Sequence, residues 1–218
     1  MDASVARSRL SRDDRMEQTL TAAHALFAER GYAAVKMDEI AAAIGVTKPL
    51  LYNYFGNKER LYTACMEQAG ESLTATVADA VAASASPGDA LGAGVRAFFS
   101  FLDSDRAAWA VLFDETLPRG GEVADRVAAY RGRILELVST AMLAQLPEPR
   151  RDAAKAEIEA LSVALLGAAE ALARWWLRTE TLSAEGAAEL LISTIEPGLR
   201  SRSAPTSTSR HPQGGTTT

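Results

Sequence analysis

Two short apolar patterns separated by one glycine, in the stretch Met37 to Glu59 (MDEIAAAIGVTKPLLYNYFGNKE), restrict this chain more than any other feature. Ile40 and Ile44 stand one helical turn apart among Ala41, Ala42 and Ala43, which is a helix pattern. Gly45 adopts positive φ without steric cost and stops that helix. Thr47 suits the N-cap of a second helix, Val46 before it can staple onto Leu51, and Pro49 falls in the first turn, where a missing N–H costs nothing. The spacing therefore predicts a helix-turn-helix.

The rest of the chain also reads as helix. From Asp13 to Arg30, Met16, Leu20, Ala23 and Phe27 follow one buried face, and Gly31 ends the segment. Asn57 is placed to cap a long helix from Lys58 to about Ala83. Ser86-Pro87-Gly88-Asp89 opens another with Leu91, Val95, Phe98, Phe99 and Leu102 inward, and a shorter one carries Trp109, Leu112 and Phe113. A helix from Glu122 to Leu146 is broken by Pro147 and Pro149. The next spans Arg150 to Arg178 and is apolar nearly all round between Ala160 and Ala169. Ser183 caps a final helix that Pro197-Gly198 ends. No strand pattern and no repeat interrupts them. The predicted fold is all-α with about nine helices: a flexible arm over 1–14, a three-helix helix-turn-helix domain over 15–62, a larger helical domain over 63–200 and a disordered tail over 201–218.

The net charge of −5 argues against a nucleic-acid binder until the chain is divided. Residues 1–62 hold nine Lys/Arg against eight Asp/Glu, and residues 63–218 hold fourteen against twenty. A balance of +1 around the motif is thus diluted by −6 elsewhere. The single Cys65 excludes an internal disulfide and fits a small buried hydrophobe in a reducing, cytoplasmic setting. His24 has no companion at metal-ligand spacing, so no metal and no cofactor is expected. No run approaches the roughly 18 apolar residues of a membrane span. No Ser-His-Asp or Cys-His set appears, which leaves an all-α enzyme as a weak rival beside a helical protein-interaction adaptor.

On 100° steps, Leu51 and Phe55 of the second helix turn toward the core, while Pro49 and Asn53 point away with Lys48, Leu50 and Tyr52 at their flanks. A cation, a phenol, an amide and apolar groups on one face make up the chemistry of a recognition helix: phosphates take the hydroxyls and cations, base edges the amides, thymine methyls the apolar groups.

Residues 15–62 resemble the DNA-binding domain of the TetR/AcrR family of bacterial regulators. The likeness runs through Phe27-Ala28-Glu29-Arg30-Gly31-Tyr32, Asp38-Glu39-Ile40-Ala41, Gly45-Val46-Thr47, Leu51-Tyr52-Asn53-Tyr54-Phe55 and Asn57-Lys58-Glu59. It implies that Thr47, Tyr52, Tyr54 and Lys58 touch phosphates of a double-stranded operator, and that Lys48, Pro49, Leu50 and Asn53 face its bases. The family pattern departs at Val35-Lys36-Met37, where a capping Ser or Thr is usual. Lys36 would supply a point charge in place of the hydroxyl, and Asp38 negative charge at the helix start.

Beyond residue 62 the resemblance implies six further helices. On that resemblance the last two would form an intersubunit bundle in a homodimer, with Leu161, Leu165, Leu172, Trp175, Leu190, Leu191 and Ile195 at the interface, the other reading of the pair being a buried core within one chain. The middle helices would enclose a pocket for a small, mainly hydrophobic effector, with Phe98, Phe101, Trp109, Phe113, Tyr130, Met142, Leu166 and Glu170 as candidates. An isolated Glu170 facing inward would favour a cationic ligand. Repression relieved by the effector is the mode the resemblance implies.

Overall fold

A computed structural model describes residues 11–203 except 115 and 119, and among these it contains nine helices and no strand. Most of the predicted arm and tail lies outside the described residues. Their inner ends, Arg12–Asp14 and Ser201–Ser203, are helical, which moves both boundaries outward. No helix among the described residues is long and apolar enough to cross a membrane.

The N-terminal unit is α1 (Arg12–Ala34), α2 (Met37–Ala43) and α3 (Lys48–Phe55). A reciprocal cap starts α1: the Asp14 N–H donates to Ser11 Oγ at 3.0 Å and the Ser11 N–H to Asp14 Oδ2 at 3.1 Å. Gly31 breaks its regular course with φ 74° and ψ 161°, a conformation that a side chain would resist. Gly45, at φ 67°, makes the turn between α2 and α3. Phe27, Ile40 and Leu51 are fully buried between the three helices and Phe55 nearly so. Each such side chain contributes roughly 1.5–3 kcal/mol by leaving water.

Six helices follow: α4 (Lys58–Ala82), α5 (Pro87–Ser104), α6 (Arg106–Leu112), α7 (Glu122–Ala144), α8 (Glu148–Thr179) and α9 (Ala184–Ser203). Asn57 caps α4 by accepting the Arg60 N–H at 2.8 Å, and Ser183 caps α9 by accepting the Gly186 N–H at 3.0 Å. α4 packs on α5 and α7, α5 on α9, and α7 on α8; α1 rests on both α4 and α6. Two proline expectations are corrected. Pro149 sits in the first turn of α8 instead of preceding it. Pro197 lies inside α9, where a proline removes one backbone donor without ending the helix. Cys65 is fully buried, and its desolvation pushes the thiol pKa up to about 12.

Candidate functional site

The exposed side of α3 carries Thr47 at its cap, then Lys48, Pro49, Tyr52 and Asn53, with Leu50 half-buried and Leu51 and Phe55 turned inward. Thr47 has extended backbone but its hydroxyl makes no capping bond, contrary to expectation. The Lys48 ammonium pairs with Asp38 at 2.7 Å and lies 5.9 Å from the Tyr52 ring centre. The bond to Asp38 raises the Lys48 pKa. Asp38, the negative charge expected in the first turn of α2, therefore also spans α2 and α3, and the cap of α2 is a separate role. That role belongs to Glu39, which accepts the Lys36 N–H at 2.8 Å and pairs with Arg30 of α1 at 2.9 Å. The Lys36 side chain is left exposed.

Tyr54 and Lys58 are less open than the sequence implied. Tyr54 is half-buried against the core, with the Arg12 guanidinium 5.9 Å from its ring centre. Lys58 Nζ donates to the Ala33 carbonyl at 3.4 Å and sits 4.3 Å from the Tyr32 ring centre; burial lowers its pKa, with Asp114 opposing.

Asp114 belongs to a joint that the sequence did not reveal. Its Oδ2 accepts the Tyr32 N–H at 2.5 Å, and Thr116 Oγ1 accepts the Ala33 N–H at 3.3 Å. The loop after α6 thereby holds the end of α1. Beside it the Tyr62 hydroxyl of α4 donates to the Val111 carbonyl of α6 at 2.5 Å, and burial raises its pKa well above the ordinary tyrosine value. The rings of Phe27 and Tyr32 meet Tyr62 edge-on at 4.9 and 5.0 Å. His24 of α1 has a buried Nε2 without a hydrogen-bond partner, and burial lowers its pKa against the opposing charge of Asp105.

An apolar cavity lies between α4, α5, α7 and α8. Of the predicted effector residues, Phe98, Phe113, Tyr130, Leu166 and Glu170 line it. Phe101, Trp109 and Met142 do not. Phe101 is buried in the core, Trp109 stacks on Phe113 with ring centres 4.0 Å apart, and Met142 Sδ accepts the Ser162 hydroxyl at 3.4 Å. The sequence missed Leu73, Val77 and Val81, the α4 wall, because nothing in a helical stripe says which buried residues border a void. It missed Arg131 as well. That guanidinium is hydrogen-bonded to Glu170 across 39 residues of sequence, so Glu170 is not the isolated acid expected.

The cavity holds about 70 Å³ of free space. Pockets around drug-sized ligands run to roughly 300–1,000 Å³, so a ligand of that size fits only if the walls part. Tyr130 is buried there, its pKa pushed up to about 12 by desolvation with the Thr74 hydroxyl and the Arg133 charge opposing, and its own hydroxyl meets no partner in hydrogen-bond geometry. Its ring lies flush on Gly70 of α4: a Cβ at Gly70 would fall 2.7 Å from the ring edge.

The predicted interface set divides. Leu165 and Leu191 are buried in the chain's own core, and Leu161, Leu172 and Ile195 are partly buried against it. Trp175 and Leu190 are 40% and 50% exposed, as is Val163 at 54%, a residue outside the predicted set. The buried tryptophan is Trp176, whose indole N–H donates to the Leu182 carbonyl at 2.8 Å and closes the turn into α9.

Two family models match the chain. One describes bacterial regulatory proteins of the tetR family and covers residues 20–65; the other describes a tetracyclin repressor-like C-terminal domain and covers residues 87–196. The HTH-type transcriptional activator FasR of Mycolicibacterium smegmatis is 32% identical over 79% of this chain and 77% of its own length. A TetR-like transcriptional regulator from Rhodococcus sp. RHA1 superposes with a TM-score of 0.73 at 31% identity, over 88% of this chain and 99% of that one. The structure of AibR with isovaleryl coenzyme A and operator DNA, 23% identical with a TM-score of 0.67 over 84% and 98% of the two chains, shares the fold.

Proposed function

The chain belongs to the TetR family of bacterial regulatory proteins, and from that premise we propose that it is a homodimeric repressor that leaves a palindromic operator when a small, mainly hydrophobic effector enters the cavity between α4, α5, α7 and α8. It is a DNA-binding transcriptional regulator of a ligand-responsive family, not an enzyme. One observation carries the ligand-coupled part. The cavity wall includes Leu73, Val77 and Val81, and these stand on α4, the helix whose first residue, Lys58, lies three positions beyond the end of α3. A ligand too large for the present cavity must displace that wall. The same displacement reorients α3, because Tyr62 at the base of α4 packs on Phe27 and Tyr32 of α1, and Phe27 shares one buried core with Ile40 of α2 and Leu51 of α3.

In this reading Lys36, Thr47, Tyr52, Tyr54 and Lys58 grip phosphates, whereas Lys48, Pro49, Leu50 and Asn53 meet base edges. Exposure of Val163, Trp175 and Leu190 supports a subunit contact through α8 and α9. A two-fold dimer sets the two recognition helices about 34–36 Å apart, or a multiple of that, along the duplex. FasR supports a second reading for the sign of regulation, since that relative is an activator. The position of the operator relative to the promoter separates the two.

The test is fluorescence anisotropy of full-length protein on DNA flanking its own gene, across a salt series. Affinity should fall steeply with salt. Tyr52→Phe and Lys58→Ala should weaken binding on every sequence. Lys48→Ala and Asn53→Ala should instead change base preference, by about 1–3 kcal/mol for each bidentate pair of hydrogen bonds removed. A footprint indifferent to all four substitutions would remove α3 as the reading element.

A further inference from the structure

We propose that the effector is a lipophilic ammonium ion whose charged head takes the place of the Arg131 guanidinium beside Glu170, Arg131 being a stand-in for the ligand in the empty protein. The inference rests on the cavity being the effector site. Arg131 and Glu170 are the charged residues of an otherwise apolar lining, and they are bound to each other. Their exposures differ: the Arg131 side chain is 46% exposed and that of Glu170 12%. Arg131 can therefore swing into water at little cost, and Glu170 cannot.

That asymmetry selects the sign of the ligand. An entering cation releases Arg131 to solvent and leaves Glu170 paired. An entering anion must either take Arg131 away from Glu170, stranding a largely buried carboxylate, or gather two negative groups around one guanidinium. The aromatic lining agrees. Phe98, Phe113 and Tyr130 present rings to the cavity, and the Arg131 guanidinium already lies 5.9 Å from the Phe113 ring centre. Aromatic rings lining a cavity that also holds a carboxylate favour an organic ammonium. Arg133, 5.9 Å from the Tyr130 ring centre, is itself exposed and keeps its charge in water.

The unpartnered hydroxyl of Tyr130, on a residue 5% exposed, gives an N–H of the head group an acceptor. A hydroxyl can serve either sign, so the choice comes from Glu170. The α4 wall and the apolar stretch of α7, with Leu137 and Val138, would take the tail.

The experiment is isothermal titration of the full chain with three ten-carbon probes below their aggregation thresholds: decylammonium, decanol and decanoate. Decylammonium should bind most tightly. Glu170→Gln should weaken it by about tenfold or more, as expected when one partner of a desolvated charge pair is removed. Arg131→Ala should tighten it a few-fold, because the competitor it removes is an exposed ion-pair partner. Far-ultraviolet circular dichroism of both variants guards against misfolding. Decanoate binding better than decylammonium, or Arg131→Ala weakening the cation, overturns the proposal in favour of an anionic ligand. Decanol binding as well as decylammonium, with both variants indifferent, overturns it while leaving a hydrophobic effector in place. If none of the three binds, the assignment of the cavity as effector site falls too.

Discussion

Gly70→Ala isolates the contact through which the cavity meets α4. The added methyl would lie 2.7 and 2.8 Å from two carbons of the Tyr130 ring, where ordinary contact begins at 3.4 Å. Ring or helix must give by about 0.7 Å, in the direction that parts α4 from α7, as an effector would. Overpacking of this kind costs about 1–3 kcal/mol. The helix-forming advantage of Ala over Gly returns about 1 kcal/mol. Net destabilisation of about 0–2 kcal/mol lowers the melting temperature by no more than about 8 °C in a chain of this size. Operator affinity should respond more strongly. Coupling energies between allosteric sites run at about 1–3 kcal/mol, so the variant without ligand should bind its operator about 5–150-fold more weakly. Anisotropy at fixed salt measures this, with thermal unfolding as the stability control. Gly70→Ala combined with Tyr130→Leu removes the clashing ring edge and should recover most of the affinity. Wild-type affinity in the single variant, or no recovery in the double, would refute a route through this contact.

Two further outcomes follow from charges placed at the DNA-facing side and at the domain joint. Asp38→Asn frees Lys48 and removes a negative group from beside α3, so operator binding should tighten by about two- to fivefold and its salt slope should steepen by about one. Equal affinity and slope in filter binding would mean that Lys48 is not held back by Asp38. His24 has its folded pKa depressed by burial. Above about pH 6.5, the unperturbed histidine value, it is neutral in both states and stability does not change with pH through this group. As pH falls below that, the unfolded chain takes up the proton first, and stability declines until the folded pKa is reached. Thermal unfolding from pH 7.5 to 5 should therefore show a steeper loss in the wild type than in His24→Gln, and parallel curves would contradict a buried neutral imidazole.

Much of this was legible in the sequence because local chemistry decides it. Gly45 needs positive φ, Asn57 and Ser183 can cap, and the spacing of Ile40, Leu51 and Phe55 fixes one core face whatever lies beyond. Where several residues could do a job, geometry chooses: Glu39 in the first turn of α2 reaches back to the Lys36 N–H, while Asp38 beside it reaches across to Lys48. In the apolar stretch of α8 the helical period has no polar face to set its phase. Counting by threes and fours puts Trp175 in line with Leu165, but at 100° per residue Trp176 lies about 20° from Leu165 and Trp175 about 80°, and it is Trp176 that is buried with Leu165 while Trp175 is open. The pairing of Glu170 with Arg131, and of Asp114 with the end of α1, joins helices far apart in sequence, and no local pattern encodes such a meeting.

The position of Gly70 within α4 has a mechanical consequence. The helix has 25 residues and Gly70 is the middle one. At 1.5 Å of rise per residue it is a rod about 37 Å long. If its Ala82 end is held, a movement imposed at Gly70 is doubled at Lys58, so a push of about 0.7 Å would become about 1.4 Å. In a two-fold pair the two arms move oppositely, and the span between recognition helices changes by nearly 3 Å against a DNA repeat of about 34–36 Å. Hydrogen bonds hold over a donor–acceptor range of only about half an ångström. In the proposed dimer, a ring seated at the centre of a stiff lever would thus need very little travel to put every base edge out of reach at once.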